Sequence, residues 1–203
     1  MQIVIIDYGM GNLRSVQKAC EYLGYDAVVT SDSRILTACD VMILPGVGEF
    51  GSAMDELNRR GLVRVIKDHV AAGRTFIGIC LGMQLLFDSS EETADTAGLG
   101  LFKGTCKRFE PAPHMPVPHM GWNNVTIANN NNDLFKGMEN DPYFYFVHSY
   151  YVVPEDESVI AGITEYGIKY PGIIRKGNIT AVQFHPEKSQ AAGLKLLENM
   201  IKS

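Results

Sequence analysis

The chain has 203 residues, of which 46% are hydrophobic and 20% charged, with a formal net charge of −5. That is the composition of a soluble globular protein able to bury roughly 70% of its unfolded surface, so folding needs neither metal nor disulfide. The negative charge argues against a nucleic-acid binder, no apolar run reaches the ~18 residues of a membrane span, and no signal-peptide pattern opens the chain. Four irregularly spaced cysteines, Cys20, Cys39, Cys80 and Cys106, fit reduced thiols in a cytoplasmic protein and no disulfide framework.

The first half alternates short apolar runs with helical patterns. Gln2 to Tyr8 is continuously apolar and β-branched, as expected of a strand covered on both faces, and it closes on Gly9, Met10 and Gly11. Asn12 is placed to cap a helix that carries Val16, Ala19, Cys20 and Leu23 on one face and stops at Gly24. Tyr25 to Thr30 and Val41 to Leu44 are further strands. Phe50 to about Ala72 is helical, broken at Gly61. Thr75 to Cys80 is a fourth strand, and Leu81 to Phe87 begins another helix. This alternation predicts a parallel α/β sheet.

Past Gly98 the pattern changes. Runs at Leu101–Phe109, Trp122–Ile127, Tyr143–Val153, Ser158–Glu165, Lys169–Arg175 and Ile179–Phe184, separated by Gly, Pro and Asn, predict antiparallel strands and hairpins. The tract Asn129–Asn132 reads as a surface turn. A last helix, Ala191 to Lys202, carries Leu194, Leu197 and Ile201 on one face. With no linker and no internal repeat, residues 1–203 are expected to form a single α/β domain. Its central mixed, mostly parallel sheet is flanked by helices, and an antiparallel extension fills the second half.

The sharpest local signal is Gly78, Ile79, Cys80, Leu81 and Gly82, at a strand-to-helix junction. It matches the nucleophile elbow G-x-S-x-G with sulfur in place of oxygen. Such a turn strains the middle residue, the flanking glycines remove colliding side chains, and the Leu81 N–H points to where an oxyanion would form. A buried core cysteine between two turn glycines is the alternative.

Among the histidines, His69 lies in a charged helical stretch and is expected to be solvated. His114 and His119 sit in the proline-rich loop Pro111–Trp122, but their spacing with Cys106 fits no zinc ligand set, and no metal or cofactor is expected. His148, within an aromatic strand, reads as a packed, hydrogen-bonded core histidine. His185 follows the apolar run Ala181–Phe184 and precedes Pro186 and Glu187. The proline holds His185 extended and discourages a helix there, and residues 185 and 187 of an extended segment share one side. Glu187 can then orient the imidazole as in a nucleophile–base–carboxylate triad; a strand terminator with a polar tip is the alternative. Pro45, Gly46, Val47 and Gly48 follow the third strand, where backbone N–H groups would be approachable, although a plain strand-to-helix turn has the same residues. The Gly9–Gly11 segment lacks the third glycine of a dinucleotide loop.

Together, Gly78 to Gln84 and Phe184 to Glu187 resemble the class I glutamine amidotransferases, whose Cys–His–Glu triad releases ammonia from glutamine. Pro45–Gly48, Val117–Asn123, Tyr145–Tyr150 and Gln183–Ser189 resemble, within that family, the glutaminase subunits of imidazole glycerol phosphate synthases. The resemblance runs from Asp7 to the C-terminal helix. It implies a flavodoxin-like fold, Cys80 as nucleophile, and His185 and Glu187 as its base and orienting carboxylate. Oxyanion or substrate contacts would come from Gly46, Val47, Gly48, Leu81, Gln84, Glu92, Ser149 and Tyr150. It also implies a heterodimer with a (β/α)8-barrel cyclase that uses the ammonia in histidine biosynthesis, with Asn12, His119, Met120, Trp122, Tyr145 and Lys188 near the interface; a tryptophan covering a sheet edge is the plainer reading of Trp122. Tyr170 departs from the family, where Phe is more usual. Two other readings stay open: the same glutaminase serving a partner in surface-sugar biosynthesis, and a non-catalytic binding subunit. A stand-alone cysteine peptidase is disfavoured by Gln84 and Glu92.

Overall fold

A computed structural model describes residues 1–110, 115–128 and 133–203; His114 and the Asn129–Asn132 tract lie outside these. The apolar runs of the first half become strands β1 (Ile3–Ile6), β2 (Ala27–Thr30), β3 (Val41–Gly46) and β4 (Thr75–Cys80). Between them lie helices α1 (Leu13–Tyr22), α2 (Ser33–Ala38), α3 (Phe50–Arg59), α4 (Leu62–Ala71) and α5 (Leu81–Gln84). The second half contributes β5 (Ser89–Ser90), β6 (Gly104–Arg108), β7 (His119–Asn124), β8 (Thr126–Ile127), β9 (Tyr143–His148), β10 (Tyr150–Pro154), β11 (Ile160–Tyr166), β12 (Ile168–Lys176), β13 (Ile179–Val182) and α6 (Gln190–Lys202).

One sheet of eight strands, ordered β2-β1-β3-β4-β13-β12-β11-β8, organises the molecule. Its first five strands are parallel, and β12, β11 and β8 add to it antiparallel. This is the mixed, mostly parallel sheet that the change of pattern after Gly98 predicts. Side chains alternate across it. Val4, Ile6, Met42 and Leu44 join one core with Leu36, Leu57, Ile66 and Leu81 from α2–α5. Ile3, Ile5, Val41 and Ile43 join the opposite core with Val16, Cys20, Leu197 and Met200 from α1 and α6. A strand covered on both faces has no polar side, which is why these runs are continuously apolar. Two smaller sheets, β10-β6-β5 and β7-β9, stand against this frame.

Several expectations need correction. The segment predicted as one helix-opening run, Leu81–Phe87, holds a single α-turn; Leu86 and Phe87 donate to Met83 and Gln84 in the tighter i−3 pattern. Tyr143–Val153 is two strands in two sheets, parted at Ser149. Asn12 precedes α1, but its side chain makes no capping bond. Helix α2 was not predicted, although Asp32, whose carboxylate accepts from the Arg34 N–H at 2.9 Å, is the kind of cap that signals it. The break at Gly61 stands as expected, the residue adopting φ 67° between α3 and α4.

His69 is not solvated but fully buried. It continues the inward stripe Leu62, Ile66 of α4, and its Nε2–H donates to the Thr75 carbonyl at 3.0 Å. His119 and His148 are also buried, packed against Phe109, Phe146 and Tyr170. Burial disfavours the imidazolium and pushes His119 down to about 4 and His148 to about 3, and it lowers His69 too.

Two outcomes follow for stability. A Cβ on Gly82 would run into the Leu44 backbone carbonyl, so Gly82→Ala should cost about 2–3 kcal/mol in urea unfolding; an unchanged midpoint would show that α5 can move away from β3. His119 and His148 take up a proton in the unfolded chain near pH 6.5 but in the folded chain only well below it, and His69 is shifted the same way, so the stabilisation from these three is complete above that pH and is lost as pH falls. The urea midpoint should therefore drop steadily from pH 7 to pH 5, and a flat profile would contradict neutral burial.

Candidate active site

The C-terminal ends of β3, β4 and β13 lie side by side, with Gly46 opposite Cys80 and Val182 opposite Ile79. At that edge β4 turns directly into α5. Cys80, the pivot, has φ 55° and ψ −112°, a region costing a non-glycine residue about 1–3 kcal/mol. The two flanking glycines permit the turn. A Cβ on Gly78 would lie 2.9 Å from the Gly82 carbonyl oxygen, and none fits at Gly82.

After β13 the chain carries His185 in an extended conformation (φ −103°, ψ 96°), as the following proline predicts. Beyond it the expectation of continued extension is wrong. Pro186–Lys188 is one 3-10 turn, with the proline in its opening position, where the missing N–H costs nothing. The turn brings Glu187 back, so its Oε1 lies 2.8 Å from His185 Nδ1 with both side chains almost wholly buried. A carboxylate only accepts, so Nδ1 donates. Nε2 makes no aligned hydrogen bond in this resting arrangement. Burial works against the His185 imidazolium, but the adjacent Cys80 and Glu187 outweigh it and raise its pKa to about 10. These neighbours favour the charged form of the ring. Burial pushes Cys20 up to about 12 and Cys39 to about 11, and raises Cys106 as well, so these three stay protonated.

A cavity of about 340 Å³ opens on Cys80 and His185 and is lined also by Val47, Gly48, Leu81, Gln84, Glu92, Ser149 and Tyr150. Thus residues named from the sequence in five separated segments border one cavity; Gly46 lies opposite Cys80 in the sheet. Gly48 has φ 103°, a conformation that needs glycine. Gln84 Nε2 donates to the Tyr150 carbonyl at 3.1 Å. Glu92 accepts from the Phe50 N–H at 2.8 Å, and burial, with Glu49 nearby, raises its pKa.

Some site residues were missed. Gln183, the one polar side chain in the run Ala181–Phe184, donates to Cys80 Sγ at 3.9 Å and faces the Gln84 side chain; its polarity inside an apolar strand was the available signal. His148 also lines the cavity. Tyr8 places a buried, unpaired hydroxyl beside Gly46. Of the residues expected at a partner interface, Met120 (62% exposed) and Trp122 (47% exposed) present large apolar surface, Trp122 edge-on to Tyr145. Asn12 and Lys188 are exposed and Tyr145 half-buried. His119 is not at the surface; its ring turns inward to His148 and Tyr170. Among the described residues no group of three or more His, Cys, Asp or Glu is arranged to hold a metal ion, and no helix is long and apolar enough to cross a membrane.

Comparison with known proteins places this geometry. The family model for class I glutamine amidotransferases matches residues 4–203. Relatives named imidazole glycerol phosphate synthase subunit HisH include one from Syntrophotalea carbinolica, 50% identical over 97% of this chain and 98% of its own. Another, from Methanocaldococcus jannaschii, is 51% identical over 98% of each. The fold also matches a solved glutamine amidotransferase at a TM-score of 0.76 with 19% identity, covering 98% of both chains. It matches the structure of PurLQS from Thermotoga maritima at 0.76 with 18% identity, covering 99% of this chain and 97% of that one. The chain belongs to the class I glutamine amidotransferase family and is similar along its length to the HisH subunits of imidazole glycerol phosphate synthase.

Proposed function

We propose that this chain is the glutaminase subunit of an imidazole glycerol phosphate synthase, hydrolysing glutamine through Cys80 and passing the ammonia to a (β/α)8-barrel cyclase in the cytoplasm. The observation that carries the chemistry is the buried His185–Glu187 pair beside Cys80 at the mouth of a cavity the size of one amino acid.

In this reading the Cys80 thiolate, paired with the His185 imidazolium, attacks the side-chain amide carbon of glutamine. The carbonyl π electrons move onto oxygen, which backbone N–H groups of Leu81 and the Gly46–Gly48 turn hold. His185 gives its proton to the departing nitrogen; the C–N bond breaks and ammonia leaves. The neutral imidazole then takes a proton from water, which attacks the glutamyl thioester and frees glutamate and the thiolate. Glu187 keeps the proton of Nδ1 in place, so that Nε2 is the nitrogen that exchanges protons. Gln84, Glu92 and the backbone at Ser149 and Tyr150 would hold the amino-acid end. A carboxylate that burial leaves short of a cationic partner, as at Glu92, suits the substrate ammonium.

The likeness to HisH subunits supports the assignment of the partner, and the exposed Met120 and Trp122 supply an apolar face of the kind enriched in interface cores. This chain would form the heterodimer through that face, together with Asn12, Tyr145 and Lys188.

In the complex assembled with its cyclase and saturated with acceptor nucleotide, Cys80→Ala and His185→Ala should each lower glutamate release by about 10³-fold or more, and Glu187→Gln by less. Retention of activity in Cys80→Ala would overturn the mechanism. Full coupling to a different, sugar-modifying acceptor instead of the cyclase would overturn the pathway.

A further inference from the structure

His148 in the cavity wall, and Tyr170 and His119 behind it, are three buried polar side chains that the proposed chemistry does not use. The bonds at the two ends of this cluster set the position of every proton in it. His148 Nδ1 is 2.7 Å from the Tyr150 carbonyl oxygen, which only accepts, so Nδ1 carries the proton. The ring is neutral, and its Nε2 is therefore a bare acceptor. At the far end the Asn123 amide is oriented by two bonds: its oxygen accepts from the Asn124 N–H at 2.9 Å, and its nitrogen donates to the Glu165 carbonyl at 2.8 Å. The second amide hydrogen faces His119 Nε2 at 3.4 Å. His119 is also neutral, so its proton sits on Nδ1. The Tyr170 hydroxyl lies between the rings, 3.0 Å from His119 Nδ1 and 3.2 Å from His148 Nε2; it accepts from the first and donates to the second. All the bonds run one way, from Asn123 through His119, Tyr170 and His148 to the Tyr150 carbonyl.

That carbonyl also receives Gln84 Nε2. His148 and Tyr150 flank Ser149, where β9 passes into β10 and the chain changes sheets. We propose that His148 is a positioning residue for glutamine: its Nδ1–H pins the Ser149–Tyr150 backbone as one wall of the substrate site, and Tyr170 and His119 lock the tautomer that lets it do so. The proposal deepens the glutaminase reading and rests on it for the identity of the substrate. Since His148 touches no reacting atom, its loss should weaken substrate binding and spare the chemistry.

The test is steady-state glutamine hydrolysis by the assembled complex, with a long-range ¹H–¹⁵N spectrum of the wild-type full chain. His148→Leu should raise KM for glutamine by about tenfold with kcat within about threefold, the loss of one hydrogen bond. His148→Asn, whose side-chain amide N–H can replace the Nδ1–H, should return KM to within about threefold of wild type. Tyr170→Phe should change KM less than His148→Leu, because His119 Nδ1 already lies 3.2 Å from His148 Nε2 and can donate to it directly. The spectrum should show His119 and His148 both neutral and protonated at Nδ1. A KM that does not move in His148→Leu, a fall in kcat alone, or a failure of Asn to rescue would overturn the proposal. So would a His148 protonated at Nε2, an observation that needs no variant. If the wild-type complex released no glutamate, the glutaminase reading would fall, while the tautomers would still report on the hydrogen-bond chain.

Discussion

The reversal of the backbone at Cys80 is the constraint on which the site depends. Helix α5 lies so near β3 that the Gly82 backbone meets the Leu44 carbonyl with no room for a side chain. That approach forces Cys80 to a positive φ, and the strain persists because the surrounding sheet and helices are packed on both faces. The same approach sets Gly46 opposite Cys80, so the Gly46–Gly48 turn and the Leu81 backbone border the thiol together. A strand that ran on straight would keep Cys80 in the sheet, as Cys106 remains within β6.

Burial disfavours charge in the core and at this edge alike, but the outcome differs between them. Within the two cores it keeps Cys20, Cys39 and Cys106 as thiols and His69, His119 and His148 as neutral rings. At the C-terminal ends of the parallel strands, His185 is also buried, yet Cys80 and Glu187 favour its charge more strongly than burial disfavours it. A residue's type therefore says little about its charge here. What decides it is whether a group of opposite charge shares its pocket.

The features most legible in the sequence depend on local backbone demands. Continuous apolar runs give the parallel strands, glycine at 61 separates α3 from α4, and the glycines around Cys80 mark the elbow, because each is a property of a few neighbouring residues. Less legible were features decided by tertiary partners. His69 looks exposed among Arg64, Lys67 and Asp68, yet it lies on the inward stripe of α4, where the Thr75 carbonyl satisfies its Nε2–H. Tyr143–Val153 reads as one strand because both of its halves are apolar; only the bond from His148 to Tyr150 and the change of sheet reveal the break. The resemblance puts His119 near a partner interface, and the inward turn of its ring toward Tyr170 and His148 is likewise set by tertiary partners. Glu187 was assigned to His185 correctly in space but by the wrong route, since a 3-10 turn and not an extended chain carries it there.

The central assignment, one activated thiol among four, is tested most directly by covalent labelling of the assembled complex with an electrophilic glutamine analogue, followed by intact-mass and peptide analysis. A single adduct on Cys80, blocked by glutamine and absent in His185→Ala, is the expected result. Equal labelling of Cys20, Cys39 or Cys106, or labelling of Cys80 that is indifferent to His185, would contradict it.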